Sequence, residues 1–521
     1  MNFEDLNIDY LLVNSTNEFL LEYVPQEENS RCNLTGFTGS TGDALVSRGK
    51  KIKLFVDGRY HEQADSEVNH SLVDVVKLQL GQRQDEVIAQ YIKPDTILGI
   101  VASKVPQARL ENFYSILKNK NVEIKLLTND IYQKNLPPKP KTAIVLSEKY
   151  SGVSTLKKLE KLSKPQLITN SEEISYICNI RDFSQNYAVK TDGKLLLLND
   201  KTILFSDSDI NGLRGIIRKP LKSFYEYIKS IEDIIYLDKS TISALDYSMI
   251  KNPKDKTSQV KMMKSIKNSA EIKHLQYAFE MTDKALMDTR NYIYKTDNLS
   301  EKDIEVALER NFKKYGAKSL SFKSIVARNQ NSALAHYSKS SPDEIIKDGD
   351  LVLIDCGAYY DGGLATDITR VFVKGEPNSQ QINVYTTVLK MFLNGFNYKI
   401  SKDTSGYDID NHVRKYLSKI EIDGFKFSHG LGHGIGVCVH EMPPNLSMND
   451  CAHSILQNGM CFTIEPGLYN DKYFGVRLEN SCYLENGKIK SFSNMCYEKK
   501  LIDYTILTEN EKVWLNDFEV L

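Results

Sequence analysis

Four acidic residues sit where charge is expensive. Asp355 and Asp367 lie in "LVLIDCGAYYDGGLATDITRVFV" (351–373), Glu465 in "CFTIEPGLY" and Glu479 in "GVRLENSCYL", all among apolar, strand-like neighbours. Burying a carboxylate there is costly unless it is paired or binds a metal. The same region supplies imidazoles: His336 in "SALAHYS", and His429, His433 and His440 in "SHGLGHGIGVCVHE". Four carboxylates with one imidazole suit two divalent cations of the manganese type better than a thiolate-seeking zinc site. Two such ions about 3.5 to 4 Å apart can share a hydroxide, a nucleophile at neutral pH, and clamp a developing oxyanion. Cys356, Cys438, Cys461 and Cys482 lie close by and read as small core residues, not ligands.

These side chains need strands to carry them. Residues 351–373 predict a β-hairpin whose apolar arms flank an Asp361-Gly362-Gly363 turn. A symmetric register about Asp361 sets Asp355 directly opposite Asp367, with Cβ atoms about 5 Å apart. Two ionised carboxylates at that distance repel by about 3 kcal/mol at an effective dielectric near 20. Glu465 closes a strand-like run before Pro466-Gly467 turns the chain, and Glu479 falls inside another strand pattern. Upstream, Ile272, Leu275, Ala278, Phe279, Thr282 and Leu286 recur at helical spacing from Ser269. A second helix is predicted after Ser300 as N-cap, with Asp303 as its third-position acid and Gly316 as its stop.

The remaining chain bounds the reading. At 521 residues it should hold several domains. Its formal charge of −1 offers no global field for nucleic acid or membrane. No apolar run approaches a membrane span, and "MNFEDLNIDYLL" lacks the regions of a signal peptide. Eight cysteines without CxxC pairs fit a reducing compartment, so the expectation is a soluble, cytoplasmic protein. "NLPPKPK" (135–141) is the clearest linker. "GDALVSRGKKIKLFVDGRY" (42–60) and "DGKLLLLNDKTILFSDSDI" (192–210) share a strand–turn–strand plan. They suggest a duplication with a period of about 150 residues, too long for a solenoid. The expected division is 1–140 and 141–263, two similar α/β domains, then 264–521.

The last domain resembles the pita-bread metallopeptidases, the group that includes methionine aminopeptidase, prolidase, creatinase and aminopeptidase P. "TDITR", "GHGIG", "VHE", "TIEPGLY" and "VRLEN" carry the resemblance, in order. The whole chain looks like three-domain aminopeptidase P, the Xaa-Pro aminopeptidases. "LTGFTGSTGDALVS" resembles their first domain, "YSGVSTLKKLEKL" their second, and "KKLIDYTILTENEKVWLND" their carboxy-terminal extension. The fold class implied is α/β: two creatinase/prolidase-type amino-terminal domains, then an α+β pita-bread catalytic domain.

The resemblance also implies roles. Asp355, Asp367, His433, Glu465 and Glu479 would hold two divalent ions per subunit, manganese first, with zinc or cobalt as alternatives. His440 would stabilise the tetrahedral intermediate, His336 would contact the scissile peptide, and Glu465 would also accept the nucleophile's proton. His429, Tyr469 and Arg477 match positions near the substrate. The implied reaction removes the first residue from peptides with proline second, by attack of a dimetal-bridging hydroxide. The partners implied are an Xaa-Pro peptide and a second copy in a homodimer, without nucleic acid or membrane.

Two spacings depart from the three-domain pattern. The Asp355 to Asp367 interval is one residue longer than usual, and His433 to His440 is two residues shorter. The shorter step resembles prolidase, so an Xaa-Pro dipeptidase is the alternative activity. A non-catalytic peptide-binding relative is a more distant one.

Overall fold

Strand alternation and duplication organise the chain. The computed structural model describes residues 3–79, 81–134, 141–420, 422 and 424–521, so the predicted linker lies outside the described residues at 135–140. The chain divides into two compact units. The first comprises Met1–Val145, Ser154–Asp182 and Lys190–Val260.

Six strands form its first sheet: β1 (Tyr10–Val13), β2 (Asp43–Ser47), β3 (Ile52–Val56), β4 (Val73–Lys77), β5 (Ile97–Val101) and β6 (Glu123–Leu127). Their order is β4-β3-β2-β1-β5-β6. A second sheet uses β7 (Gln166–Ile168), β8 (Lys194–Leu197), β9 (Thr202–Phe205), β10 (Ile217–Lys219), β11 (Ile235–Leu237) and β12 (Pro253–Asp255). Its order, β10-β9-β8-β7-β11-β12, repeats the first. Pair directions also repeat: the central strand is antiparallel to one neighbour and parallel to the other in both sheets. The two segments read as a duplication are the antiparallel pairs β2–β3 and β8–β9.

The second unit comprises Leu146–Val153, Phe183–Val189 and Lys261–Leu521. Two short stretches between 141 and 263 thus belong with it. One reason is polar: Asn268 Nδ2 donates to the Ser151 carbonyl at 2.9 Å, while the Asn268 side chain also caps the next helix. That helix, α1 (Ser269–Lys295), buries Leu275, Ala278, Phe279, Thr282 and Leu286 as the spacing predicts, with Ile272 half-buried. α2 (Glu301–Lys314) carries the Ser300–Asp303 capping box and ends before Gly316, at φ +88°.

A three-stranded antiparallel sheet follows, β13 (Ile325–Arg328), β14 (Leu351–Cys356) and β15 (Ile368–Val373), with β14 central. The plan then repeats. Helices α3 (Ser379–Phe396) and α4 (Gly406–Leu417) precede a five-stranded sheet of β16 (Gly432–Gly434), β17 (Glu441–Leu446), β18 (Cys461–Ile464), β19 (Asn480–Glu485) and β20 (Lys488–Ser491).

Period-two alternation sorts β14 onto two cores. Val352, Ile354 and Cys356 pack with Leu286, Ile304 and Leu308 of α1 and α2. Leu351 and Leu353 pack with Val371, Val388 and Phe392 on the other side. Each such buried side chain contributes about 1.5 to 3 kcal/mol. Asp355 continues the odd-numbered face, so burial of its neighbours forces it inward.

The predicted hairpin register is corrected by two residues. Asp355 pairs with Thr369 and Cys356 with Ile368, and the Tyr359–Ala365 bridge keeps the same register up to the turn. The axis is therefore Gly362, not Asp361. Asp367 lies diagonal to Asp355, a separation of about 7 to 8 Å between Cα atoms instead of direct opposition. A shift of two preserves the face, whereas a shift of one would reverse it. The cause is visible at the turn: the Gly362 N–H donates to His274 Nε2 at 3.2 Å, and the Gly363 N–H to the Tyr360 carbonyl at 2.7 Å.

Arg370 stitches this hairpin to the next sheet. Its guanidinium is fully buried and donates to the carbonyls of Thr369, Glu479, Met495 and Cys496 and to Asn480 Oδ1, at 2.7 to 3.1 Å. Replacing Arg370 with Met strands several of these acceptors. We expect a loss of about 3 kcal/mol, read as a lower denaturant midpoint for the unit that contains residues 261–521.

Candidate metal centre

The acids converge from both halves of the second unit. Asp355 is the last residue but one of β14, and Asp367 precedes β15. Glu465 follows the last residue of β18, as predicted. Glu479 differs from the expectation: it lies between the Gly475–Arg477 strand and β19, where the chain passes from a two-stranded ribbon to the five-stranded sheet. Its N–H donates to the Thr369 carbonyl at 3.1 Å, tying that break to the hairpin.

His433 sits at the centre of β16, where the register with β17 shifts. Such an irregularity re-aims a side chain. Gly432 beside it allows close strand approach, since a Cβ there would lie 1.9 Å from the Thr463 carbonyl oxygen. The Thr463 hydroxyl accepts the His433 N–H at 3.1 Å, and Ser481 Oγ donates to the Asp367 carbonyl at 2.9 Å.

The resulting cluster is compact. Ligand atoms of Asp367, His433 and Glu479 all lie within 4.8 Å of one another. His433 Nε2 is 3.5 Å from both Asp367 Oδ2 and Glu465 Oε1. His433 Nδ1 donates to the Gly434 carbonyl at 3.0 Å, an arrangement that leaves the Nε2 lone pair facing carboxylates. Asp355, Asp367 and Glu479 are only 9 %, 5 % and 2 % exposed. Asp355 Oδ1 and Glu479 Oε1 are buried without a hydrogen-bond partner. Acceptors that face acceptors, with orphaned oxygens among them, are the donor set a divalent cation completes. The residues fit a divalent cation.

Charge leads to the same fit. Burial pushes the Asp367 and Glu479 carboxyls well above the ordinary range, and the neighbouring carboxylates push the same way. Arg477 brings a positive charge into contact: Nη2 donates to Asp355 Oδ2 at 2.6 Å. Burial works to lower the Arg477 pKa, but Tyr469, Asp355 and Glu465 overcome it and hold the guanidinium well above its usual value. Arg477 Nη1 also donates to the Tyr469 hydroxyl at 2.8 Å, and that hydroxyl meets His429 Nε2 at 2.8 Å. Burial raises the Tyr469 phenol to about 12. His429, Tyr469 and Arg477 thus form one hydrogen-bonded chain that ends on Asp355.

Thr369 joins the two sides. Its hydroxyl donates to Glu479 Oε2 at 2.7 Å and accepts from Arg477 Nε at 3.2 Å. His440 lies against His433, ring centroids 4.5 Å apart and nearly perpendicular. His336 is half-buried in the turn after Asn329–Ala333. Ser332 Oγ accepts the Gly475 N–H at 2.9 Å, which ties that segment to the strand of Arg477. None of the eight cysteines is in a disulfide; Cys356, Cys461 and Cys482 are buried and Cys438 is half-buried.

Sequence reasoning overlooked several supports. Arg370 was legible as a charge inside the apolar run "ITRVFV". Asp410 and Arg414, four apart on α4, pair at 2.8 Å, and Arg414 also bonds the His429 carbonyl while Asp410 accepts the Leu431 N–H. A generic helical ion pair carries no signal of that task.

A buried, acid-rich centre built from two helix-and-sheet halves defines a metal-dependent hydrolase. Residues 273–486 match metallopeptidase family M24, and residues 2–133 and 135–271 each match a creatinase/prolidase N-terminal domain. Together these matches give an M24 metallopeptidase segment preceded by two creatinase-type N-terminal domains. Among similar proteins is Xaa-Pro aminopeptidase 1 of Dictyostelium discoideum, 28 % identical over 99 % of this chain and 90 % of that one. The human Xaa-Pro aminopeptidase 2 is 27 % identical over 98 % of this chain and 82 % of its own. The fold matches the crystal structure of an X-prolyl aminopeptidase from Caenorhabditis elegans, described as cytosolic with a di-nuclear active site. That match has a TM-score of 0.90 at 22 % identity, and covers 98 % of this chain and 90 % of the other.

The raised carboxyls set a pH signature for metal-free protein. Groups whose folded pKa is raised give stability that is complete below the unfolded value of about 4 and lost as pH rises through the folded value. Chelation is therefore expected to lower the melting temperature more at pH 7.5 than at pH 5, and added Mn²⁺ to restore it. Thermal scans with and without EDTA measure this.

Proposed function

We propose that the protein removes the N-terminal residue from peptides whose second residue is proline. The observation that carries the hydrolytic reading is the Asp367–His433–Glu479 cluster, its two acids buried, with Glu479 Oε1 and the nearby Asp355 Oδ1 lacking a hydrogen bond. The Xaa-Pro preference is supported by the names of relatives that align along nearly the whole chain.

Asp355, Asp367, His433, Glu465 and Glu479 would hold two divalent ions, with manganese as the metal used. Bound there, the ions supply Lewis acidity and a hydroxide nucleophile at neutral pH. The chain's own residues do the rest. Glu465, at the solvent-facing edge of the cluster, takes the nucleophile's proton. His440, set edge-on to His433, donates to the oxyanion as the carbonyl carbon becomes tetrahedral. His336 approaches the scissile peptide. His429, Tyr469 and Arg477 line the substrate side while their hydrogen bonds hold Asp355 in place. Proline lacks an amide hydrogen and has a fixed φ, so a site shaped to its ring selects it.

We place domain limits at 1–140, 141–263 and 264–521, and propose a cytoplasmic homodimer. Among the described residues no helix is long and apolar enough to cross a membrane.

The seven-residue step from His433 to His440 favours prolidase as the second reading. A peptide-length series with and without Mn²⁺ separates them. Cleavage of Xaa-Pro-Xaa tripeptides, dependent on the metal, is expected; hydrolysis of Xaa-Pro dipeptides alone would select the dipeptidase. His440→Ala is expected to lower kcat about 100-fold with metal content unchanged.

A further inference from the structure

We propose that Glu441 is a positioning residue for His440, its buried carboxylate serving as the post around which the Ile435–His440 loop is wound. The inference rests on the reading above, in which His440 acts on the substrate.

Glu441 is 1 % exposed and opens β17. Lys267 Nζ donates to its Oε1 at 2.6 Å, and Lys264 Nζ lies 3.3 Å from Oε2. Both lysines are themselves buried. The remaining bond runs into the loop: the Val437 N–H donates to Oε2 at 3.0 Å. Gly436 is required by the same approach, because a Cβ there would lie 2.4 Å from that oxygen. Burial alone would raise this carboxyl, yet the two ammonium groups hold it below the ordinary range, so the post stays charged.

The wrap is closed from outside. The Ile435 N–H donates to the Cys461 carbonyl, the Ala365 N–H to the Gly436 carbonyl, and the Tyr359 hydroxyl to the Val437 carbonyl. Lys267 is in turn fixed by its own N–H, which donates to the Gly459 carbonyl at 2.8 Å. His440 is the last loop residue before this anchor, so its ring position follows from where Glu441 is held. Buried ion pairs are weak sources of stability compared with apolar packing of the same volume. Two buried lysines on one carboxylate are better explained by geometry: they fix the turn of a loop whose Ile435, Val437 and Val439 are buried. A displacement of about 1 Å at a catalytic group can cost 100-fold in rate.

The test uses the full metal-loaded chain. Glu441→Gln keeps the side chain's size but removes the charge that both lysines hold. We expect hydrogen exchange in Ile435–His440 to quicken about 10-fold or more, with Leu351–Val373 unchanged. For an Xaa-Pro tripeptide, kcat should fall about 10- to 100-fold with KM within threefold and metal content intact. Lys264→Met, which spares the closer Lys267 pair, should move both readouts the same way by less, and stands in if the first variant does not fold. Unchanged loop exchange in the folded variants overturns the proposal whatever peptide is cleaved. So does faster exchange with full kcat. Wild-type protein inert on every Xaa-Pro peptide would instead overturn the functional reading, and loop exchange would still decide the positioning role.

Discussion

Everything in the second unit answers one electrostatic problem. Four carboxylates meet in a place that excludes most water, with the Arg477 guanidinium in contact with one of them. Ionised, they would carry a charge of −4 against the +1 of Arg477. In a low-dielectric setting that imbalance cannot be left standing. Either protons or metal cations must neutralise it, and burial has already raised two of the carboxyls in the direction of protonation. A fold that keeps such a cluster must take up protons or cations there.

That requirement explains the density of fixed polar partners around the site. Arg477 divides its donors among Asp355, Tyr469 and Thr369, and Thr369 passes a hydrogen bond to Glu479. The bonds to Asp355 Oδ2 and Glu479 Oε2 restrain those carboxylates and leave Asp355 Oδ1 and Glu479 Oε1 without a hydrogen bond. Arg370, one residue along, does the same for the backbone by gathering four carbonyls from three segments. The adjacent residues Thr369 and Arg370 point to opposite faces of β15, one toward the acids and the other toward the neighbouring sheet's edge. Two neighbouring residues thus fix both sides of one strand by hydrogen bonds.

The hairpin shows how narrow the tolerance is. A direct pairing of Asp355 with Asp367 would have brought the two carboxylates as close as antiparallel strands allow. The observed register sets them diagonally on the same face, which eases their repulsion and leaves a wider opening between them. The turn at Gly362, held by His274 of α1, is what selects this register over its neighbours. A helix more than eighty residues earlier in the chain thus sets the spacing of two acids it does not touch.

The identity of the acids and imidazoles was legible from residue types alone, because charge in an apolar strand pattern is rare unless it has a task. The duplicated sheets were legible too, since strand alternation and turn residues are local properties that survive a repeat, and so were the helices that begin at Ser269 and after Ser300. The register of 351–373 was not, because two registers two residues apart bury the same faces and tertiary contacts such as that of Gly362 with His274 accompany the one adopted. The break that holds Glu479 was equally hidden: a continuous apolar run does not say where a chain changes sheets. Arg370, Asp410 and Lys267 carried no local signal of their partners, which lie far away in sequence. Local chemistry determined which residues would make the centre. Tertiary packing decided their spacing and support, because both depend on contacts between segments that sequence order keeps apart.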